Sequence, residues 1–96
     1  MAKRKDNAMQ NEYIERMVKN LPVLRAAIDI TQMQLGEKVG VSRQTIVAIE
    51  NRKSPLNWTL YLAMVCVFQQ YEEPKKFLES FKIFDKGFIK RFQGGE

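Results

Sequence analysis

The stretch Gln32-Met33-Gln34-Leu35-Gly36-Glu37-Lys38-Val39-Gly40-Val41-Ser42-Arg43-Gln44-Thr45-Ile46-Val47-Ala48-Ile49-Glu50-Asn51 decides how this chain is read. Its spacing predicts a short helix over Gln32 to Val39 and a second from Arg43 to Asn51, joined by a turn of about three residues. Helices joined so tightly cross at about 90 to 120°. Such a crossing needs a small residue where the two helices touch, and Gly36 meets that need. The turn needs a residue tolerant of positive φ, which Gly40 supplies. Ser42 has the side-chain oxygen of an N-cap for the second helix. Leu35, Val39, Val41, Ile46 and Ile49 form the side expected to be buried. The second helix is left with an outward face of Arg43, Gln44, Thr45, Ala48 and Asn51.

Upstream, Met9, Tyr13, Met17 and Leu21 recur four apart, a helical stripe. Pro22 is expected to end that helix or to occupy the first turn of the next, which continues through Val23, Leu24, Ala27 and Ile28. Asp29-Ile30-Thr31 reads as the exit, with Thr31 capping the helix that begins at Gln32. Downstream, Asn51 to Pro55 is a polar, basic connection. Asn57 caps a helix from Trp58 to about Gln70 that is apolar almost all round. A strand over the same run is rejected, because no second strand exists to satisfy its backbone groups. After Glu72-Glu73-Pro74, Phe77, Phe81, Phe84 and Phe88 predict a last helix, with Gly87 interrupting its pattern. The expected architecture is all-α, a compact bundle of five to six short helices. Residues 1–8 are expected to be a flexible basic start, residues 9–92 a single domain with a C-terminal helical extension over 75–92, and residues 93–96 a frayed tail.

Composition narrows the function. The chain has 96 residues, 45% hydrophobic and 28% charged, which suits one globular domain. Its 16 Lys and Arg against 11 Asp and Glu give +5, a balance that favours polyanionic partners. The basic excess is spread along the chain rather than concentrated in the central stretch. With no histidine, imidazole-dependent catalysis is excluded. The sequence shows neither a phosphate-binding glycine loop nor paired carboxylates on a helix face, so no enzyme, cofactor or metal site is expected. The lone Cys66 forms no internal disulfide and, in an apolar run, reads as an inert core residue. The longest apolar run, Leu60 to Phe68, is far short of the roughly 20 residues of a membrane span. Met1 to Asn7 is not followed by the apolar segment of a signal peptide, so a cytoplasmic location is expected.

The central stretch has the helix-turn-helix pattern and resembles the DNA-binding domain of the Cro/repressor-type Xre family of regulators. The resemblance spans residues 21–68. It includes Leu24 and Arg25, Gln32 at the start of the second helix, Val41-Ser42-Arg43-Gln44-Thr45-Ile46, Ile49-Glu50 with its following basic turn, and Trp58-Thr59. It implies a lambda-repressor-like fold and a transcriptional regulator, a repressor, that binds double-stranded DNA. One short recognition helix touches too few base pairs for useful specificity, so a homodimer on paired half-sites is expected. Two departures fall in the loop after the recognition helix. Arg52 stands where the family has glycine, leaving Asn51 as the candidate for the left-handed role, and Pro55 and Asn57 replace the usual Pro-Ser opening of the fourth helix.

The residues expected to contact DNA are Gln32, Ser42, Arg43, Gln44, Thr45, Ala48, Asn51, Arg52 and Lys53. The major groove, about 12 Å wide, admits one helix. Gln44 can bond adenine, Arg43 can bond guanine or a phosphate, and Thr45 and Ala48 offer methyl groups to thymine. Gln32 braces the backbone, and Asn51, Arg52 and Lys53 hold the next phosphates. The competing reading of Arg43 is an exposed charge paired with Glu50 or Glu37. Glu50, at the far end of its helix, is expected to bond backbone or Arg25. The Phe-rich C-terminus and the fourth helix are the expected dimer interface. Rival readings are an antitoxin whose Phe-rich end binds a small protein partner, and a protein-interaction adaptor that has lost DNA binding.

Overall fold

The computed structural model describes residues 3–87, 89 and 90, with side chains from residue 8 onward. In chain order they form α1 (Lys3–Ala27), α2 (Gln32–Val39), α3 (Arg43–Glu50), α4 (Trp58–Phe68) and α5 (Glu72–Ser80). No strand occurs among the described residues, as the all-helical expectation requires. None of these helices is long and apolar enough to cross a membrane.

The apolar stripe upstream behaves as its spacing predicts. Tyr13, Met17, Leu21 and Leu24 are buried, and Met9 packs at the edge of the same core. Two boundaries differ. The helix begins at Lys3 rather than Met9, and it runs without a break through Pro22. An interior proline costs a helix about 3 kcal/mol, since it removes an amide and crowds the preceding turn. Here Leu21 and Leu24, on either side of it, are both fully buried. Each such burial is worth about 1.5–3 kcal/mol, enough to hold both halves of α1 on one core. Pro22 itself is exposed.

At its end α1 turns through Asp29, in the left-handed region at φ 56°. Thr31 then caps α2 through a reciprocal pair, its hydroxyl accepting from the Gln34 amide at 3.0 Å while Gln34 Oε1 accepts from the Thr31 amide at 2.9 Å.

The meeting of α2 and α3 rests on Gly36. A Cβ at that position would lie 2.6 Å from the Val41 carbonyl oxygen, inside any real contact distance. The Gly36 carbonyl in turn accepts the amides of Gly40 at 2.8 Å and Val41 at 2.9 Å, closing the helix. Gly40 has φ 86°, the left-handed cap expected of it. Leu35, Ile46 and Ile49 are buried, and Val39 and Val41 are partly buried against them.

A charged network fixes the other end of α3. Glu50 accepts a forked pair of bonds from Arg25 of α1, Nε at 2.7 Å and Nη2 at 3.1 Å. Gln32 Nε2 of α2 donates to the same carboxylate at 3.0 Å, and Arg25 Nη1 donates to the Ile30 carbonyl at 3.2 Å. Side-chain exposure of 18% for Arg25 and 7% for Glu50 takes this pair out of the weak surface class. Glu50 therefore has the structural role expected of it, bonded to Arg25.

Helix α4 lies in the middle of the bundle, with Leu60, Tyr61, Met64, Val65, Val67 and Phe68 buried. Asn57 caps it, accepting from the Leu60 amide at 2.8 Å. Its outer line runs through Thr59 and Cys66, which are its exposed residues. Cys66 is thus not a core residue, contrary to expectation: residues 64, 65, 67 and 68 take the inward positions and leave 66 facing out.

The C-terminal phenylalanines do not form one continuous helix. Helix α5 starts at Glu72, with Pro74 in its first turn, and stops at Ser80. Lys82 enters the left-handed region at φ 57°, and the chain folds back to bury Ile83 completely. The Tyr61 hydroxyl donates to the Ile83 carbonyl, and burial pushes that phenol well above the ordinary tyrosine range. Nearby, the Tyr13 hydroxyl donates to Asp85 Oδ1 at 3.3 Å and Arg16 Nη1 to the Lys82 carbonyl at 3.1 Å, joining α1 to this segment. Residues 86–87 and 89–90 are again helical. Phe88, Phe92 and the expected tail over 93–96 lie outside the described residues.

Two stability measurements check these constraints. Gly36→Ala should lose about 1–3 kcal/mol in urea unfolding, because the added methyl must push back the Val41 backbone. A gain, as expected at an unconstrained helix glycine, would mean that the close approach does not set the crossing. Glu50→Ala should lose roughly 3 kcal/mol by stranding Arg25 in a mostly buried position, and a loss below about 1 kcal/mol would return the pair to the surface class.

Candidate nucleic-acid interface

With its inward side held by Ile46, Ile49 and Glu50, α3 presents its other side outward. Ser42 starts it as expected, its Oγ accepting from the Thr45 amide at 3.2 Å and lying 3.1 Å from Thr45 Oγ1. The cap leaves the first residues of the helix projecting from its amino end. Ser42, Arg43 and Gln44 are exposed, while Thr45 and Ala48 are half-buried. Among the described residues, neither the Arg43 nor the Gln44 side chain has a hydrogen-bonding or ionic partner, and the expected competitors of Arg43 are otherwise placed. Glu50 is held by Arg25, and Glu37 has no ion pair with it.

The connection after α3 closes back on the helix. The Ala48 carbonyl accepts the amides of Lys53 at 2.8 Å and Ser54 at 3.2 Å. Asn51 has φ −86° and donates its amide to the Val47 carbonyl at 2.9 Å. The left-handed residue is Arg52, at φ 61°. This corrects the expectation that Asn51 would replace the missing glycine: the turn keeps its register, and the arginine takes the glycine's conformation. Its guanidinium reaches across to α1, where Nη1 meets Glu15 Oε1 at 2.8 Å. The bond to Arg52 holds the Glu15 carboxyl below the ordinary carboxylate range, and the same contact raises Arg52. Lys53, Asn51 and Ser54 are exposed beside it.

Seven of the nine expected contact residues, Ser42 to Thr45, Asn51, Arg52 and Lys53, thus lie at the two ends of α3, with Ala48 between. Gln32 is set apart, half-buried, with one amide hydrogen committed to Glu50. An amide nitrogen carries two donors, so one remains. Glu15 was not among the expected residues. No local pattern marks it, since its partner lies 37 residues further along the chain.

Residues 24–66 match the helix-turn-helix family. No curated protein and no solved structure matches the chain. The match spans α2, the turn, α3 and most of α4, the elements whose packing has just been described. Residues 24–66 therefore form a DNA-binding helix-turn-helix domain of the Cro/repressor (Xre) type.

Proposed function

We propose that this protein is a sequence-specific transcriptional repressor that lays α3 in the major groove of double-stranded DNA and acts as a homodimer in the cytoplasm. The observation that carries the reading is the state of Arg43 and Gln44, exposed at the amino end of a helix whose opposite face is buried. Long polar side chains held at a rigid helix end, with their bonding capacity unspent, suit base edges.

In this reading Gln44 bonds N6 and N7 of adenine, and Arg43 bonds guanine or the nearest phosphate. Thr45 and Ala48, both half-buried, offer methyl surface to thymine. Ser42, Asn51 and Lys53 line the backbone, and Gln32 donates its remaining amide hydrogen to a phosphate. One short helix reads only a few base pairs. Two copies about 34 Å apart, one helical turn of DNA, supply the specificity a regulator needs. In this reading the pairing surface combines the outer residues of α4, Thr59, Leu62 and Cys66, with α5 and the segment after it. Phe81 stacks on Phe77 at 5.4 Å, and Phe81 and Ile89 remain 39% and 40% exposed. The same surface would serve an antitoxin's protein partner.

Selection from a random duplex pool should return a palindromic consensus, and a consensus without symmetry would remove the homodimer. On the selected site, Gln44→Ala should lose about 1–3 kcal/mol while binding to random duplex is nearly unchanged. Equal loss on both would show that Gln44 reads no base. Lys53→Ala should weaken binding to every duplex and reduce the slope of log K against log salt by about one unit. An unchanged slope would take Lys53 off the phosphate backbone.

A further inference from the structure

Arg52 and Lys53 are neighbouring cations in the turn after α3, yet they are not in the same state. Lys53 has no ion pair among the described residues, whereas Arg52 is already bonded to a carboxylate of the protein. The pair spans 37 residues and bridges α1 to the turn along the rim of a groove floored by Ile14, Val18, Ile49 and Leu56. Both side chains stay more than half exposed, 51% for Arg52 and 58% for Glu15. Such a pair adds little to folding, so it can be exchanged for another anion at small cost. The left-handed backbone at Arg52 fixes where its side chain leaves the turn. A guanidinium bonds carboxylate and phosphate oxygens with the same planar donors.

We infer that Glu15 is an affinity-setting residue for DNA: its carboxylate occupies the Arg52 guanidinium in the free protein, and a backbone phosphate must displace it. The inference rests on α3 and its following turn being the DNA interface. Phosphate contacts are independent of sequence and release counterions, so withholding one cation lowers affinity for all duplexes alike and flattens the salt dependence. Arg52 contributes its contact only after Glu15 lets go, while Lys53 contributes from the start. Lys19, one helical turn beyond Glu15, adds to the field that keeps the carboxylate ionised and so keeps the competitor active.

The test uses the full chain, a selected operator and a random-sequence duplex of equal length, titrated between 50 and 300 mM salt. Glu15→Gln keeps the shape and removes the charge. It should tighten both duplexes about three- to tenfold near 0.1 M salt and steepen the salt slope by up to about one unit, as expected when one more cation reaches a phosphate. In an Arg52→Ala background the same change should give a clearly smaller gain and leave the slope unaltered. An equal gain with and without Arg52 would mean that Glu15 merely repels DNA. Weaker binding by Glu15→Gln would mean that it positions Arg52 instead, and either result overturns the inference. If wild type binds both duplexes and Glu15→Gln matches it, only this inference fails; if wild type and variant both bind neither, the reading of the interface fails with it.

Discussion

The approach of Gly36 to the Val41 backbone is the constraint on which the rest of this fold depends. Only hydrogen fits at that point, with 2.6 Å between a would-be Cβ and the carbonyl oxygen. Because the two helices meet there, the Gly36 carbonyl can take two amides from the turn, and Leu35, Ile46 and Ile49 converge on one core. At the far end of α3, Glu50 gathers Arg25 of α1 and Gln32 of α2. One clamp is steric and the other ionic. These contacts at both ends oppose rotation of α3 about its axis and set the direction of its outward residues. A DNA-reading helix needs that rigidity, since a bidentate bond to a base tolerates little rotation.

What could be read beforehand was local. Capping oxygens at Thr31, Ser42 and Asn57 act within three residues of themselves, and all three cap as their side chains predict. The stripe from Tyr13 to Leu21, the left-handed Gly40 and the small Gly36 likewise express spacing and backbone chemistry. The misses share the opposite character. Pro22 looked like a helix boundary because its local cost is real, and only the burial of Leu21 and Leu24 outweighs it. Cys66 looked buried because its neighbours are, although a single helix must have an outer line. The phenylalanine periodicity suggested continuity past Ser80, but burying Ile83 and bonding its carbonyl to Tyr61 required a turn.

The candidate site divides along the same line. Exposure of Arg43 and Gln44 followed from the inward pattern of their helix, so that part of the surface was legible. The state of the connecting turn was not. Placing Arg52 rather than Asn51 in the left-handed region trades conformational strain for a direction toward α1. Neither that choice nor the commitment of Gln32 to Glu50 leaves any trace in short-range spacing.

The way α1 and the segment around Ile83 are tied together has a further meaning. Tyr13 and Arg16 come from before the family-matched region, and Lys82 and Asp85 from after it, yet they bond directly to one another. Between them lies Tyr61, which belongs to the matched region and donates its hydroxyl to this outer layer. The two flanks therefore meet as halves of a clasp beside α4, joined by these bonds. Trimming the chain to its recognisable core would leave Met17, Leu21, Leu78 and Ile83 missing from the hydrophobic cluster. The packed hydrophobic cluster is larger than the stretch that reads as a family.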